Sequence, residues 1–409
     1  MDNKNKILII VITIWVLAQV ACLLYYWDIN QSFDSFYYIP QAKIHAELGI
    51  PYPTIHNIYD TYLQAPGYIN LLAISIYLTG SYKPILIIGI LMNIGILINI
   101  YYLAKRFYGS NTAFLSSILY CLIPTNIFIP IWLTTELPYL FIGLTAFSMS
   151  LRPRLKVLIF AGILYGIAQT IRPIIIAFIL STFIYYWIKQ FHIKKYVAII
   201  VPYVLILLAS GLYTKHQTGY FVTSSTVAGY DLMYTAYDEA DGGQHPWYVF
   251  KKGGPGYIEN SSELDFVQKE KIWKQRSLDW ITENPMRYLY LCVKHIAIMY
   301  KSDIWDIPAF MNEKEAKQST FFLKLLVNIP YYIVLTFAIL SIFIGWKQYL
   351  TERGLPLLYI ILGTGATCLF GMEVRYHYPY IFAMTIMAAF CISQIKIIAL
   401  KNERTNQMD

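Results

Sequence analysis

Charged residues are scarce in this chain. The 32 lysines and arginines and 24 aspartates and glutamates make up 14% of 409 residues, against roughly a quarter in soluble domains, and the shortfall excludes a soluble enzyme. Cysteine is sparse too. Cys22, Cys121, Cys368 and Cys391 fall in apolar stretches and only Cys292 in a polar one, so no disulfide pair is expected outside the membrane and a disulfide-built secreted scaffold is excluded. The chain has no GxSxG, no HExxH and no nucleotide-binding signature. KKGGPG at 251–256 has the composition of a turn; it follows no strand and opens no helix, so it is not a phosphate loop. No His, Cys or Asp spacing resembles a dedicated metal site, which leaves any metal unknown.

What the chain has instead is apolar sequence: 57% of residues are hydrophobic. That composition describes an all-α polytopic membrane protein. The net charge of +8 then requires no nucleic acid, because basic cytoplasmic loops give the same excess. Residues 7–27 carry no charge, follow Lys4 and Lys6, and end in Tyr25, Tyr26 and Trp27. This reads as a retained helix with an interfacial aromatic anchor, not a cleaved signal. Further spans are expected at 84–104, 111–132, 137–151, 157–171, 173–188, 196–214, 325–346, 355–371 and 380–397, ten with the first, which places both termini in the cytoplasm.

The stretch 67–80 is short for a span, and charge decides its reading. If it stays on one side, Lys105/Arg106, Arg152/Arg154/Lys156, Lys189/Lys194/Lys195, Lys347/Arg353 and Lys396/Lys401/Arg404 all face the cytoplasm. It therefore reads as a helix on or dipping into the outer leaflet, and 286–301 as an outer interfacial helix. Two long segments, 28–83 and 215–324, remain on the outer side, and any chemistry should sit there, on a plasma (inner) membrane protein.

Four ionisable residues stand at the outer ends of apolar runs. Asp34 in DSFYYIPQAK suits a general base for an attacking hydroxyl, and suits an N-cap for the helix after it. Glu136 in WLTTELPY is costly beside two buried helices unless it has a partner or a role; the same residues suit a helix start. Arg172 in QTIRPIIIAF has no acidic neighbour in sequence and must find a carboxylate or a phosphate. Arg375 in GMEVRYHYPY has Glu373, His377 and Tyr378 close by; it could pair with Glu373, or the cluster could stabilise a phosphate leaving group. Tyr37, His56 and Asp60 in the first outer loop complete the candidates for substrate contact.

The order of these pieces resembles the GT-C class of integral-membrane glycosyltransferases, in particular family 39, which includes protein O-mannosyltransferases and lipid A aminoarabinose transferases. The pieces are an acidic residue in the first outer loop, then APGYINLLA, AKRFYG, LIPTNIFIPIWLTTELPY, AGILYGIAQTIRP, AGYDLMYTAYDEADGG, ENPMRYLYLCVKH and EVRYHYPY. The resemblance implies a GT-C-like module over 1–214, an outer segment over 215–324 that selects the acceptor, and C-terminal helices over 325–409. It also implies inverting transfer of a sugar from a polyprenyl-phosphate donor to a glycan, lipid or protein acceptor at the outer face. Asp34 matches the catalytic acid of the family, Glu136 the second acidic position, and Arg172 and Arg375 the positions that hold the lipid phosphate. A divalent metal is possible in relatives; nothing in this sequence demands one. Where protein mannosyltransferases have adjacent Asp-Glu, this chain has Asp34-Ser35, which speaks against protein mannosylation. The rival readings are a lipid-linked glycan polymerase or ligase, against which the early acidic residue speaks, and a flippase, against which the lack of an internal repeat and the gathering of charges at the outer surface speak.

Overall fold

The computed structural model describes residues 3–28, 34–303, 313–371 and 373–406, and among these it contains helices and no strand. Helix α1 (Asn3–Tyr25) leads to a first long loop with α2 (Ser35–Leu48) and α3 (Pro66–Thr79). There follow α4 (Lys83–Tyr108), α5 (Ser110–Leu122), α6 (Thr125–Phe128), α7 (Glu136–Ser150), α8 (Leu155–Ile171), α9 (Ile176–Ile188) and α10 (Ile193–Thr218). A second long loop segment carries α11 (Ala228–Met233), α12 (Pro246–Val249), α13 (Phe266–Glu283) and α14 (Pro285–Met299). The chain closes with α15 (Glu313–Ile344), α16 (Trp346–Tyr349), α17 (Leu355–Thr367) and α18 (Ile381–Asn406).

Every expected span is helical, but their lengths differ. Among the described residues five helical stretches are long and apolar enough to cross a membrane: α1, α4, α10, Val327–Ile344 and Val374–Ile395. The expected span at 111–132 is broken at Ile123–Pro124, and its two pieces meet at 74°. Those at 137–151, 157–171, 173–188 and 355–371 are helices of 15, 17, 13 and 13 residues. At ~1.5 Å rise per residue they run about 20–26 Å, short of the ~30 Å hydrocarbon core. The sequence count of ten read apolar length, which at 173–188 and 355–371 includes turn residues before α9 and after α17. Helix α15 also begins at Glu313, inside the segment expected to be loop up to 324.

Small residues and satisfied polar groups hold the bundle together, as expected where lipid offers no hydrophobic gain for helix association. Gly162 and Gly166, one turn apart on α8, face α10. A Cβ at Gly162 would lie 2.3 Å from the Ile199 carbonyl oxygen, and one at Gly166 2.6 Å from Ile206 Cβ. A buried clasp joins α1, α4 and α5: Asn93 donates to Gln19 at 2.9 Å and accepts from the Tyr120 hydroxyl at 2.7 Å. The aromatic core continues through Phe178 on α9, which stacks on Tyr359 of α17 at 4.1 Å and on Phe382 of α18 at 5.9 Å.

The two long loop segments pack on each other. Leu63 and Thr226 exchange hydrogen bonds of 2.9 and 2.8 Å, the Phe266 amide donates to the Ile58 carbonyl at 2.9 Å, and the Lys269 ammonium donates to the Tyr59 carbonyl at 2.8 Å. Helix α13 is fixed at its start by a reciprocal cap between Asp265 and Gln268, with bonds of 2.8 and 2.9 Å. Beneath it a small separate core forms, with Phe250 stacked on Tyr230 at 4.1 Å and both against Trp273.

Candidate active site

Four of the residues singled out by their sequence context converge. Asp34 stands at the cap position of α2, yet its side chain makes no capping bond; one carboxylate oxygen instead meets Arg375 Nη2 at 2.8 Å. Glu136 is the first residue of α7 and 1% exposed, where the positive end of the helix dipole favours a carboxylate. It accepts from Arg172 Nη1 at 2.8 Å and lies 3.7 Å from Arg375 Nε. Arg172 is placed by the end of α8, its backbone turning extended before Pro173, and it also donates to the Thr135 hydroxyl at 3.1 Å. Arg375 is presented by a 3-10 turn, Val374–Tyr380, that leads into α18.

Arg375 thereby contacts three carboxylates: Asp34, Glu136, and Glu373 at 2.7 Å. The sequence alternative in which Glu373 simply pairs with Arg375 is met, and the other two acids add to it. Tyr376 lies against both guanidiniums, with Arg172 4.9 Å and Arg375 5.6 Å from its ring centre. The Tyr38 hydroxyl stands 3.5 Å from Asp34.

Asp231 on α11 was not legible as a site residue. Burial pushes its carboxyl up to about 7; Asp34 adds to the rise, Arg172 opposes it, and Glu270 and Glu373 add further. Its backbone carbonyl accepts from Gly371 at 3.5 Å. Neighbouring Tyr230 packs on Tyr62 of the first loop at 4.8 Å, so α11 closes over the loop that carries Asp34. Burial also raises Glu373, which Arg375 partly offsets. The only sequence signal for Asp231 was its place in the Gly-Tyr-Asp segment.

The remaining candidates lie elsewhere. Tyr37 and Asp60 bond to each other at 3.0 Å, and Asp60 also accepts from Gln41 at 3.3 Å and Asn57 at 2.9 Å, an internal network of the first loop. His56 is exposed on a 3-10 turn of that loop. His377 and Tyr378 follow Arg375 in sequence, but the 3-10 turn directs both into the core. His377 Nδ1–H donates to the Val374 carbonyl at 2.5 Å, and its Nε2 lies 3.7 Å from Asp303; the Tyr378 hydroxyl lies 3.4 Å from that of Tyr120.

The donor set does not fit a resident divalent ion. Among the described residues no three His, Cys, Asp or Glu side chains are grouped as ligands, and the guanidinium of Arg375 occupies the place between carboxylates that such an ion would take.

No protein-family model matches the chain, and no curated protein sequence does. Solved structures do. The apo oligosaccharyltransferase of Archaeoglobus fulgidus matches 98% of this chain and 52% of its own, with a TM-score of 0.55 at 12% identity. The same enzyme, AglB, in complex with an inhibitory peptide and a dolichol-phosphate matches 100% and 52%, with a TM-score of 0.52 at 13% identity. ArnT of Cupriavidus metallidurans bound to undecaprenyl phosphate matches 96% and 79%, with a TM-score of 0.41 at 10% identity. The chain spans about half the length of the archaeal enzyme. Its architecture, a multi-pass helical bundle with its charged cluster at the foot of two packed loop segments, is the GT-C fold.

Proposed function

We propose that the chain is an inverting glycosyltransferase that moves a sugar from a polyprenyl-phosphate carrier to an acceptor hydroxyl at the outer face of the plasma membrane. The observation that carries this reading is the convergence of Asp34, Glu136, Arg172 and Arg375 from four separate elements into one ion-paired cluster. The archaeal neighbour, an oligosaccharyltransferase whose structure holds a dolichol-phosphate, supports a lipid-linked donor.

In this reading Asp34 is the general base. The acceptor oxygen attacks the anomeric carbon, its proton passes to the Asp34 carboxylate, and the bond to the phosphate oxygen breaks with inversion. The leaving polyprenyl phosphate gains charge, which a cation must meet. Arg172 and Arg375 divide that work unequally. Arg375 is engaged by three carboxylates and 5% exposed, whereas Arg172 is 18% exposed and bonded to one carboxylate and one hydroxyl. Arg172 is therefore the donor-phosphate ligand, and Arg375 holds Asp34 in position. Glu136 keeps both guanidiniums in place. Tyr376 and Tyr62 offer aromatic faces to the sugar or acceptor. The acceptor is a glycan, lipid or protein carried against the 215–324 segment.

The test is mass spectrometry of cell-surface glycans in the native host, comparing wild type with Asp34→Asn at matched protein level. Loss of one defined sugar or modifying group supports the transferase. Loss of whole chains supports a polymerase or flippase, and unchanged glycans remove Asp34 from the mechanism.

A further inference from the structure

Three residues on one face of α14 meet the outer end of α17. The Tyr288 hydroxyl donates to the Leu369 carbonyl at 2.6 Å, and His295 Nδ1–H donates to the Cys368 carbonyl at 2.7 Å. Cys292 lies between them, four residues from Tyr288 and three from His295, and so on the same helical face. Its thiol neighbours that of Cys368, whose own S–H donates to the Gly365 carbonyl at 3.3 Å. Both cysteines are buried, at 7% and 8% exposure, and both are free thiols in this structure. The apolar run to residue 371 puts Cys368 inside an expected span. The structure ends α17 at Thr367, so Cys368 sits at the mouth of the bundle, against the second outer segment.

We propose that Cys292 and Cys368 are a disulfide site, oxidised by thiol–disulfide exchange as α14 docks on α17. The inference rests on the outer-face placement of the 215–324 segment, the oxidising side in a bacterial or secretory membrane. The thiolate of Cys368 attacks a disulfide-bearing oxidant and expels one thiolate; the deprotonated Cys292 then attacks the Cys368 sulfur and expels the second. Two protein thiols become one disulfide and the oxidant's disulfide becomes two thiols. Cys368 is the apt first nucleophile, because the neighbouring Cys292 thiol lowers its titration while burial opposes the shift. With Tyr288 and His295 already bonded to the Leu369 and Cys368 carbonyls, the two cysteines need little backbone movement to reach bonding distance.

The bond would tie α14 to the stretch of chain that enters the active site. Glu373 and Arg375 follow Cys368 by five and seven residues. It would thus restrain the segment that positions Arg375 against Asp34.

The experiment maps peptides of the full-length chain from native-host membranes, with free thiols blocked by N-ethylmaleimide at lysis and no reductant added. The expected result is a joined pair of peptides containing Cys292 and Cys368, two hydrogens lighter than their sum, free of the blocking group and separated by reductant. A parallel sample treats the purified reduced chain with oxidised glutathione. If both cysteines carry the blocking group in membranes yet join with glutathione, the outer-face placement fails and the proposal with it. If they join in neither sample, the pairing itself is wrong. Cys292→Ser and Cys368→Ser should each lower the melting temperature by the amount that reductant lowers that of wild type, and the double variant should lower it no further.

Discussion

Arg375 Nη2 lies 2.8 Å from Asp34 Oδ2, joining a residue just after the first span to one just before the last. The pair fixes the proposed base where the acceptor must arrive. Asp34→Asn keeps the shape and removes the proton acceptor, so turnover should fall about 100- to 10,000-fold, the usual worth of a general base. KM for the donor should change far less. Steady-state kinetics on purified protein in lipid nanodiscs, with a polyprenyl-phosphate sugar as donor, separates the two.

Much of this architecture can be read from the residues alone, because a run of some 20 apolar side chains has few other fates. Asp34, Glu136, Arg172 and Arg375 stood out as costly charges at the ends of such runs, and they meet. Proximity in sequence misled at His377 and Tyr378: a tight 3-10 turn exposes Arg375 to the cluster and swings its next-but-one neighbour inward. Asp231 was illegible for the opposite reason. It lies in a polar segment among other acids, and only the packing of α11 on the first loop brings its charge to bear on Asp34. The break in the span at 111–132 depends on Pro124 and Pro130 acting together with tertiary contacts that no period reveals.

Glu136 should matter for folding as much as for chemistry. It is 1% exposed and bonded to a guanidinium that is itself mostly buried. Glu136→Gln leaves Arg172 without its counter-charge, and breaking a buried pair this way costs about 3–5 kcal/mol. The variant should melt well below wild type in detergent. Adding Arg172→Gln should recover part of the loss, because the uncompensated charge is gone; a double variant no more stable than the single would show that the pair is not coupled.

Asp231 predicts a pH effect with a definite sign. Its folded-state value near 7 lies above the ~3.9 of an exposed aspartate, so the folded protein holds this proton more tightly than the unfolded chain. Stability from this group is complete below about pH 4 and is lost as pH rises through 7. Charging Asp231 also adds a negative group beside an anionic donor, so KM for that donor should rise over the same interval. Asp231→Asn should flatten both the melting-temperature profile and the KM profile between pH 6 and 8 (about one unit either side of the titration). Profiles that keep their slope in the variant would assign the titration to another group.

The close approach of α8 and α10 offers a test of the fold independent of the chemistry. An added Cβ at Gly162 meets the Ile199 backbone oxygen at 2.3 Å, and backbone cannot rotate aside as a side chain can. Gly162→Ala must therefore push α8 from α10. Since Arg172 is held by the end of α8, the displacement reaches the cluster as well as the packing. Overpacking of this kind costs about 1–3 kcal/mol, and the variant should show both a lower melting temperature and a higher KM for the lipid-phosphate donor. Gly365, on α17, has open space around its Cβ position, so Gly365→Ala is the matched control. It should leave both quantities near wild type, because it adds the same methyl group where nothing has to move.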